Sequence, residues 1–123
     1  MQPKVLVVED LGEIQNILRR ILERSGFQVF CAGDGPDGIA LAERERPDLI
    51  LLDLTLPTLS GQQTAERIRA LEALRHVPIL AMSGKIDEHA SSACFNGYIA
   101  KPFDLAQLVA TVKQHLGMGN GGN

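Results

Sequence analysis

The chain has 123 residues, of which 45% are hydrophobic and 22% are charged. This length suits one domain with a real core, and the composition excludes a disordered chain. The formal net charge of -3, without a cluster of basic residues, argues against nucleic acid or an anionic membrane as a direct partner. Because no apolar run is long enough for a membrane span or a signal peptide, we expect a cytoplasmic protein.

Short apolar strands alternate with amphipathic helices from one end of the chain to the other. This order is typical of an α/β fold with a parallel sheet. Apolar runs of strand length occur in five places, which are Lys4–Val8, Phe27–Cys31, Leu49–Asp53, Ile79–Met82 and Tyr98–Ala100. The sequence therefore predicts a single five-stranded domain.

Helical spacing of apolar residues fills the intervals between these strands. The predicted helices are one that ends at Gly26, one from Pro36 to Pro47, one over Gln62–Leu74 and one that follows Asp104 as its N-cap. A further helix is predicted within Asp87–Cys94, where the apolar pattern is brief. We expect the domain to cover residues 1–117 and residues 118–123 to form a flexible Gly/Asn tail or the start of a linker.

Ionisable and polar residues stand at the carboxyl ends of the predicted strands. The first strand is followed by Glu9 and Asp10, the third ends at Asp53, and Ser83 and Lys101 follow the fourth and fifth. In an open parallel sheet, ligands bind beyond these strand ends, where the strand order reverses. If the first and third strands are neighbours, their three acids meet in one pocket.

Three carboxylates in one pocket repel one another. At about 4 Å and an effective dielectric constant near 20, each ionised pair costs on the order of 4 kcal/mol, so protons or a cation must relieve the repulsion. An all-oxygen ligand set favours Mg²⁺. With part of the charge neutralised, Asp53 can attack phosphorus to form an acyl phosphate, and Lys101 and the Ser83 hydroxyl can stabilise the phosphoryl oxygens.

The acids and the polar strand-end residues also have structural interpretations. Asp10 lies three residues before Glu13, which is the spacing of a helix capping box. Glu9 alone is typical of a solvated loop, and Lys101 alone is typical of a surface, although the following proline favours a cis peptide bond. Asp53 is the exception, because a carboxylate after four buried aliphatic residues favours a functional role.

The segment GDGPDG, Gly33–Gly38, matches a dinucleotide-binding fingerprint, and Asp53 follows it at the spacing of a ribose-binding acid. Against this alternative, Asp34 and Asp37 would bring negative charge to a pyrophosphate. The remaining chain is also too short for a second nucleotide-binding half. A turn followed by a helix start is therefore the favoured interpretation.

Four segments taken in order resemble the receiver domain of two-component response regulators, of the kind found in chemotaxis regulators. They are VLVVED, PDLILLDLTLPTLSG, ILAMSG and YIAKPF, and the resemblance covers essentially the whole chain. It implies a flavodoxin-like fold with strand order 2-1-3-4-5 and helices on both faces. It also implies a signalling switch without substrate turnover, which receives its phosphoryl group from a histidine kinase or a His-containing phosphotransfer protein.

The same resemblance implies a role for each strand-end acid. Asp53 would be the phosphoacceptor and a ligand of Mg²⁺. Asp10 would bind Mg²⁺ directly, and Glu9 would do so through water. The backbone carbonyl of Thr55 would complete the protein ligands.

Further residues would respond to the phosphoryl group. Ser83 and Lys101 would hold it, and Tyr98 would be the aromatic switch that moves into the space vacated by the Ser83 hydroxyl. Thr55 and Lys85 lie two residues beyond Asp53 and Ser83, at the mouth of the site. We expect both to modulate the phosphoryl lifetime, Lys85 by contact that slows attack by water.

Some positions depart from the family pattern. The interval between Ser83 and Lys101 is about one helical turn short, so the helix between the last two strands is expected to be short. Cys94 and Phe95 stand where the family usually has small residues. Two other functions stay open: a phosphatase with an aspartate nucleophile, which would need a second acid where this chain has Thr55, and a degenerate receiver that only binds partners.

Overall fold

The computed structural model describes residues 2–84 and 93–118. Within them, five parallel strands form one sheet in the order β2-β1-β3-β4-β5. The strands are β1 (Lys4–Val8), β2 (Gln28–Ala32), β3 (Leu49–Asp53), β4 (Ile79–Ser83) and β5 (Gly97–Ala100). This order confirms the predicted flavodoxin-like topology, with β1 and β3 as neighbours in the middle of the sheet.

The strand boundaries differ from the predicted ones where an end residue has another hydrogen-bonding role. β2 lies one residue later than predicted, because the Phe27 N–H donates to the Leu22 carbonyl at 3.1 Å and closes the end of the preceding helix. β4 extends to Ser83, which pairs with Ala100. The polar residue after the fourth apolar run is therefore part of the sheet.

Four α-helices lie within the described residues. They are α1 (Gly12–Arg24), α2 (Gly35–Glu45), α3 (Gly61–Arg69) and α4 (Leu105–His115), and a 3₁₀ turn covers Glu72–Leu74. Apolar residues of α1 and α4 pack on one face of the sheet and those of α2 and α3 pack on the other. Among the described residues, none of the helices is long and apolar enough to cross a membrane.

The helix starts test three of the sequence interpretations. Asp34 is the N-cap of α2 and its side chain accepts a hydrogen bond from the Asp37 N–H, so the GDGPDG segment is a turn and helix start. Asp104 caps α4 as predicted. The capping-box interpretation of Asp10 is wrong, because α1 has Leu11 at its N-cap position with no side-chain cap.

The helix after β3 is shorter than predicted. The apolar spacing predicts a helix over Gln62–Leu74, but α3 ends at Arg69. The Arg69 guanidinium donates to the carbonyl oxygens of Leu74 and Arg75, and these contacts require the chain to turn back after the helix.

The sequence predictions for two segments lie almost wholly outside the described residues. The helix predicted within Asp87–Cys94 is one, and only its last two positions are described, as part of a turn. The Gly/Asn tail is the other, and of it only Met118 is described.

Gly61 allows α3 to pack directly on the backbone that follows the third strand. Its N–H donates to the Leu54 carbonyl at 3.1 Å. A Cβ at this position would overlap the Asp53 carbonyl oxygen and the Leu54 Cα, both of which are backbone atoms. The absence of a side chain therefore fixes how closely α3 approaches Asp53.

We expect Gly61→Ala to destabilise the fold by about 1–3 kcal/mol, because the backbone must shift to accept the methyl group. Gly12→Ala is the matched control, since Gly12 is also the first residue of its helix and nothing lies within 4 Å of its Cβ position. Urea unfolding measures both variants. Equal stabilities of the two variants would contradict the close approach at Gly61.

Candidate functional site

Three acids meet at the carboxyl end of the sheet, as the strand-end argument predicts. One carboxylate oxygen from each of Glu9, Asp10 and Asp53 lies within 4.8 Å of the other two. The neighbouring strands bring them together, since Val8 pairs with Leu52. Glu9 is 0% exposed and Asp53 is 2% exposed, whereas Asp10 is exposed. Glu9 is therefore not the solvated loop acid that it resembles in isolation.

Lys101 places its ammonium group between the two buried carboxylates. Its Nζ atom donates to Glu9 Oε1 at 3.0 Å and to Asp53 Oδ2 at 3.2 Å. Its backbone N–H donates to the Ser83 carbonyl at 2.8 Å, and the peptide bond to Pro102 is cis, as predicted. Lys101 thus pairs with members of the acidic cluster formed by Glu9, Asp10 and Asp53, and it is not a surface residue.

Burial and charge shift the pKa values of Glu9 and Lys101. Burial raises the pKa of Glu9, and the hydrogen bonds from Lys101 and the Leu11 N–H offset only part of that effect. Burial alone would lower the pKa of Lys101, but the hydrogen bond to Glu9 and the charges of Asp53 and Glu9 outweigh it, so the net shift is upward. Lys101 therefore stays protonated beside the acids.

Each oxygen of the Asp53 carboxylate has its own donor. Oδ2 accepts from Lys101, and Oδ1 accepts from the Thr55 N–H at 2.9 Å and from the Thr55 hydroxyl at 3.1 Å. The sequence resemblance assigned a metal-binding role to the Thr55 carbonyl. It did not reveal that the Thr55 N–H and hydroxyl donate to Asp53. The signal was present, because an Asp side chain commonly accepts from the backbone two residues later.

Gln15 is a site residue that the sequence reasoning missed. Its Nε2 atom donates to the carbonyl oxygens of Glu9 and Ala32 at 2.5 and 3.2 Å. The Leu11 N–H also donates to Glu9 Oε2 at 3.2 Å. Gln15 lies on the same helical face as the buried Leu18, so a polar residue on the inner face of α1 was the available signal.

The remaining predicted site residues lie farther along the sheet edge. Ser83 is buried at the end of β4, one residue beyond the Met82 position that pairs with Asp53. Tyr98 is half-buried on β5 and pairs with Ala81. Lys85 lies outside the described residues.

An open groove of about 470 Å³ adjoins the acidic cluster on the side of α1. Apolar side chains make up most of its walls, and its lining residues are Ile14, Ile17, Lys101, Pro102, Phe103 and Leu105. Because Lys101 belongs to both the groove and the cluster, a partner seated in the groove would be next to Asp53.

Comparison with known proteins identifies the family. The family model of the response regulator receiver domain matches residues 5–113. The chain belongs to this family. Receiver domains are signalling switches that interact with histidine kinases or phosphotransfer proteins, and Mg²⁺ and phosphoaspartate are typical of them.

This receiver domain has relatives of two lengths. It is 32% identical over 122 residues to the polar-differentiation response regulator DivK of Brucella anthropi, and the match covers 95% of this chain and 98% of DivK. It is 38% identical over 113 residues to the transcriptional regulatory protein PrrA of Mycobacterium tuberculosis, where the match covers 90% of this chain and 48% of PrrA.

Solved structures of receiver domains have the same fold. The receiver domain of the sensor histidine kinase PA1611 of Pseudomonas aeruginosa has a TM-score of 0.87 and 34% identity, with 95% of this chain and 99% of that chain covered. That structure has a magnesium ion coordinated in its active-site cleft. The chemotaxis protein CheY4 of Vibrio cholerae has a TM-score of 0.89 and 26% identity, with 94% and 99% covered.

The acidic cluster of this receiver domain fits Mg²⁺ by its donor chemistry. It offers three carboxylate oxygens within 4.8 Å, without sulfur or imidazole among them. Among the described residues, one ammonium group, that of Lys101, pairs with carboxylates of the cluster, so these residues together keep an excess of negative charge. Asp10 is exposed, which leaves one side open to a partly hydrated ion.

We expect Lys101→Met to lower the free energy of unfolding by about 2 kcal/mol near pH 7.5 in the absence of metal, because two buried carboxylates lose their cation. Without the ammonium, the pKa of Glu9 rises further above its ordinary value. The associated stability is therefore present at low pH and lost as the pH rises through that folded-state pKa, so the deficit should shrink near pH 5.

Urea unfolding at the two pH values, with a chelator present, measures this effect. Lys4→Met is the matched control, since the Lys4 Nζ atom lies 3.9 Å from Glu45 in a partly exposed ion pair away from the cluster. We expect it to change stability by less than about 1 kcal/mol at either pH. A Lys101→Met deficit that is equal at both pH values would contradict the electrostatic explanation.

Proposed function

We propose that this chain is a phosphorylation-controlled switch that accepts a phosphoryl group on Asp53 from a histidine kinase or a His-containing phosphotransfer protein. The observation that carries the proposal is the Asp53 carboxylate itself. It is buried at the end of β3, each of its oxygens has a donor, and two further acids lie within 4.8 Å. Burying a carboxylate beside other acids costs free energy, and such groups are concentrated at functional sites.

In the proposed reaction, a carboxylate oxygen of Asp53 attacks the phosphorus of a phosphohistidine. The O–P bond forms as the N–P bond breaks, and the electron pair returns to the imidazole nitrogen. Lys101 and the Ser83 hydroxyl hold the phosphoryl oxygens as their charge develops. Thr55 fixes the orientation of the carboxylate through its two hydrogen bonds to Oδ1.

Mg²⁺ would be held by Asp10 and Asp53, by the Thr55 carbonyl and, through water, by Glu9. When bound, it supplies positive charge that offsets both the acids and the incoming phosphoryl oxygens. Lys101 remains a ligand of the phosphoryl group in this arrangement.

The response to phosphorylation would pass through Ser83 and Tyr98, which lie on the same face of the sheet. A doubly charged phosphoryl group draws the Ser83 hydroxyl inward, and the Tyr98 ring occupies the vacated space. Thr55 and Lys85 would modulate the lifetime of the phosphoryl group. The switching unit would comprise residues 1–117 and act in the cytoplasm, with residues 118–123 as a tail or linker start.

An aspartate-nucleophile phosphatase is less well supported by the same geometry. Such an enzyme needs a second acid two residues after the nucleophile to protonate the leaving group. That position is Thr55, whose N–H and hydroxyl are engaged with Asp53. We therefore propose that the chain loses its own phosphoryl group slowly and does not turn over a separate substrate.

Intact mass after treatment with acetyl phosphate tests the phosphoacceptor. We expect wild-type protein to gain about 80 Da in the presence of Mg²⁺, as for one phosphoryl group, and Asp53→Asn to gain nothing. Asp37→Asn is the matched control, because Asp37 is an exposed acid on α2 that is not among the three carboxylates of the cluster, and it should be modified like wild type. A wild-type adduct that persists in Asp53→Asn would show that Asp53 is not the acceptor.

Thermal unfolding with and without MgCl₂ tests the metal site separately. A ligand that binds only the folded state at ten times its Kd stabilises by about 1.4 kcal/mol, so Tm should rise in wild type and in Asp37→Asn. Asp10→Asn should lose most of this rise at the same concentration, because it removes a proposed direct ligand. An undiminished rise in Asp10→Asn would exclude Asp10 from the metal site.

A further inference from the structure

We infer that Phe95 is a positioning residue that holds the Tyr98 ring where it lies in the unphosphorylated protein. Phe95 would thereby oppose the movement of that ring on phosphorylation. The inference rests on the proposed function, since it concerns how readily phosphorylation of Asp53 moves the Tyr98 ring. It assigns a role to a large side chain at one of the positions that depart from the family pattern.

The two rings form a tilted aromatic pair. Their centroids are 5.8 Å apart and their planes are inclined by 59°. Phe95 is 8% exposed and belongs to the core layer on the α2 and α3 face, and Tyr98 packs partly buried against the same layer. Aromatic pairs of this separation and tilt attract beyond the burial of their area. The contact therefore favours the observed place of the Tyr98 ring.

Phe95 and Ser83 lie on opposite sides of Tyr98 along the sheet. Tyr98 pairs with Ala81, and Ser83 lies two residues farther toward the carboxyl end of β4, a rise of about 6–7 Å. Phe95 precedes β5, next to Asn96, whose N–H donates to the Ile79 carbonyl at the amino end of β4. A movement of the Tyr98 ring toward Ser83 is therefore directed along the sheet away from the backbone of Phe95.

The backbone around Phe95 is anchored, so Phe95 does not follow such a movement. Arg69 donates to the Cys94 carbonyl through Nε at 3.2 Å and through Nη2 at 2.9 Å. Asn96 Oδ1 accepts from Arg69 Nη2 at 2.6 Å and from the Ile79 N–H at 2.9 Å. The residues on both sides of Phe95 are thus tied to α3 and β4.

The contact between the Phe95 and Tyr98 rings should affect how tightly the Asp53 site binds a phosphoryl-like anion. If the anion favours the displaced ring and the Phe95 ring favours the resting one, the two effects oppose each other in one equilibrium. An aromatic pair of this kind shifts such an equilibrium by roughly threefold to tenfold. Removing the Phe95 ring should therefore strengthen anion binding by up to that factor.

Beryllium fluoride, which imitates a phosphoryl group on a carboxylate, is the probe, with Mg²⁺ present. Tyr98 is the single tyrosine and the chain has no tryptophan, so the fluorescence excited near 280 nm reports Tyr98 directly. We expect Phe95→Leu to bind beryllium fluoride about threefold to tenfold more tightly. Its fluorescence without the anion should also shift toward that of anion-bound wild type.

Phe30→Leu is the matched control, because Phe30 packs against the same core layer from β2, at the far edge of the sheet from Tyr98. It should bind the anion like wild type. Urea unfolding verifies that each variant folds, and Phe95→Met replaces Phe95→Leu if the latter does not. In a Tyr98→Leu background, where binding is followed by ¹⁹F NMR, Phe95→Leu should leave the affinity unchanged.

An unchanged affinity in Phe95→Leu, when wild type binds the anion normally, overturns the inference but leaves the proposed function intact. Tighter binding that persists in the Tyr98→Leu background also overturns it, because Phe95 would then act by another route. If wild type neither binds the anion nor gains an adduct on Asp53, the proposed function fails and the inference fails with it.

Discussion

The site depends on one ammonium group placed between two buried carboxylates. Glu9 and Asp53 lie at the ends of the neighbouring strands β1 and β3. The cation that offsets the repulsion between them is Lys101, which follows β5, the strand at one edge of the sheet. The side chain must therefore reach past the end of β4. Three strand ends have to be in register for this contact to form, so the electrostatics of the site and the alignment of the sheet stabilise each other.

Much of the fold and the position of the site could be predicted because both follow from periodic patterns and one rule of topology. A continuous aliphatic run such as Leu49–Asp53 indicates a strand buried on both faces, and parallel strands place their carboxyl ends at one edge. From these two facts, Glu9, Asp10 and Asp53 had to converge once β1 and β3 were neighbours. The separation of their oxygens confirms that convergence.

The sequence did not reveal contacts between side chains and distant backbone groups. The early end of α3 depends on Arg69, which donates to carbonyl oxygens beyond the helix, and no periodicity marks such a bond. The same holds for Gln15 on the carbonyls near Glu9. Asp10 had the spacing of a cap, but Leu11 stands at the N-cap position and Asp10 contributes its carboxylate to the cluster instead.

β5 is anchored at both ends, and this bears on how a signal can leave the site. At its amino end, Asn96 is tied to Arg69 and Ile79, and just beyond its carboxyl end Lys101 is tied to Glu9 and Asp53. A strand held in this way resists displacement as a whole. The Tyr98 side chain, which lies between the anchors, can change rotamer without breaking either of them. Under the proposed function, phosphorylation of Asp53 would therefore be transmitted as a rearrangement of the Tyr98 ring, and the strength of that response would depend on what the ring packs against at rest.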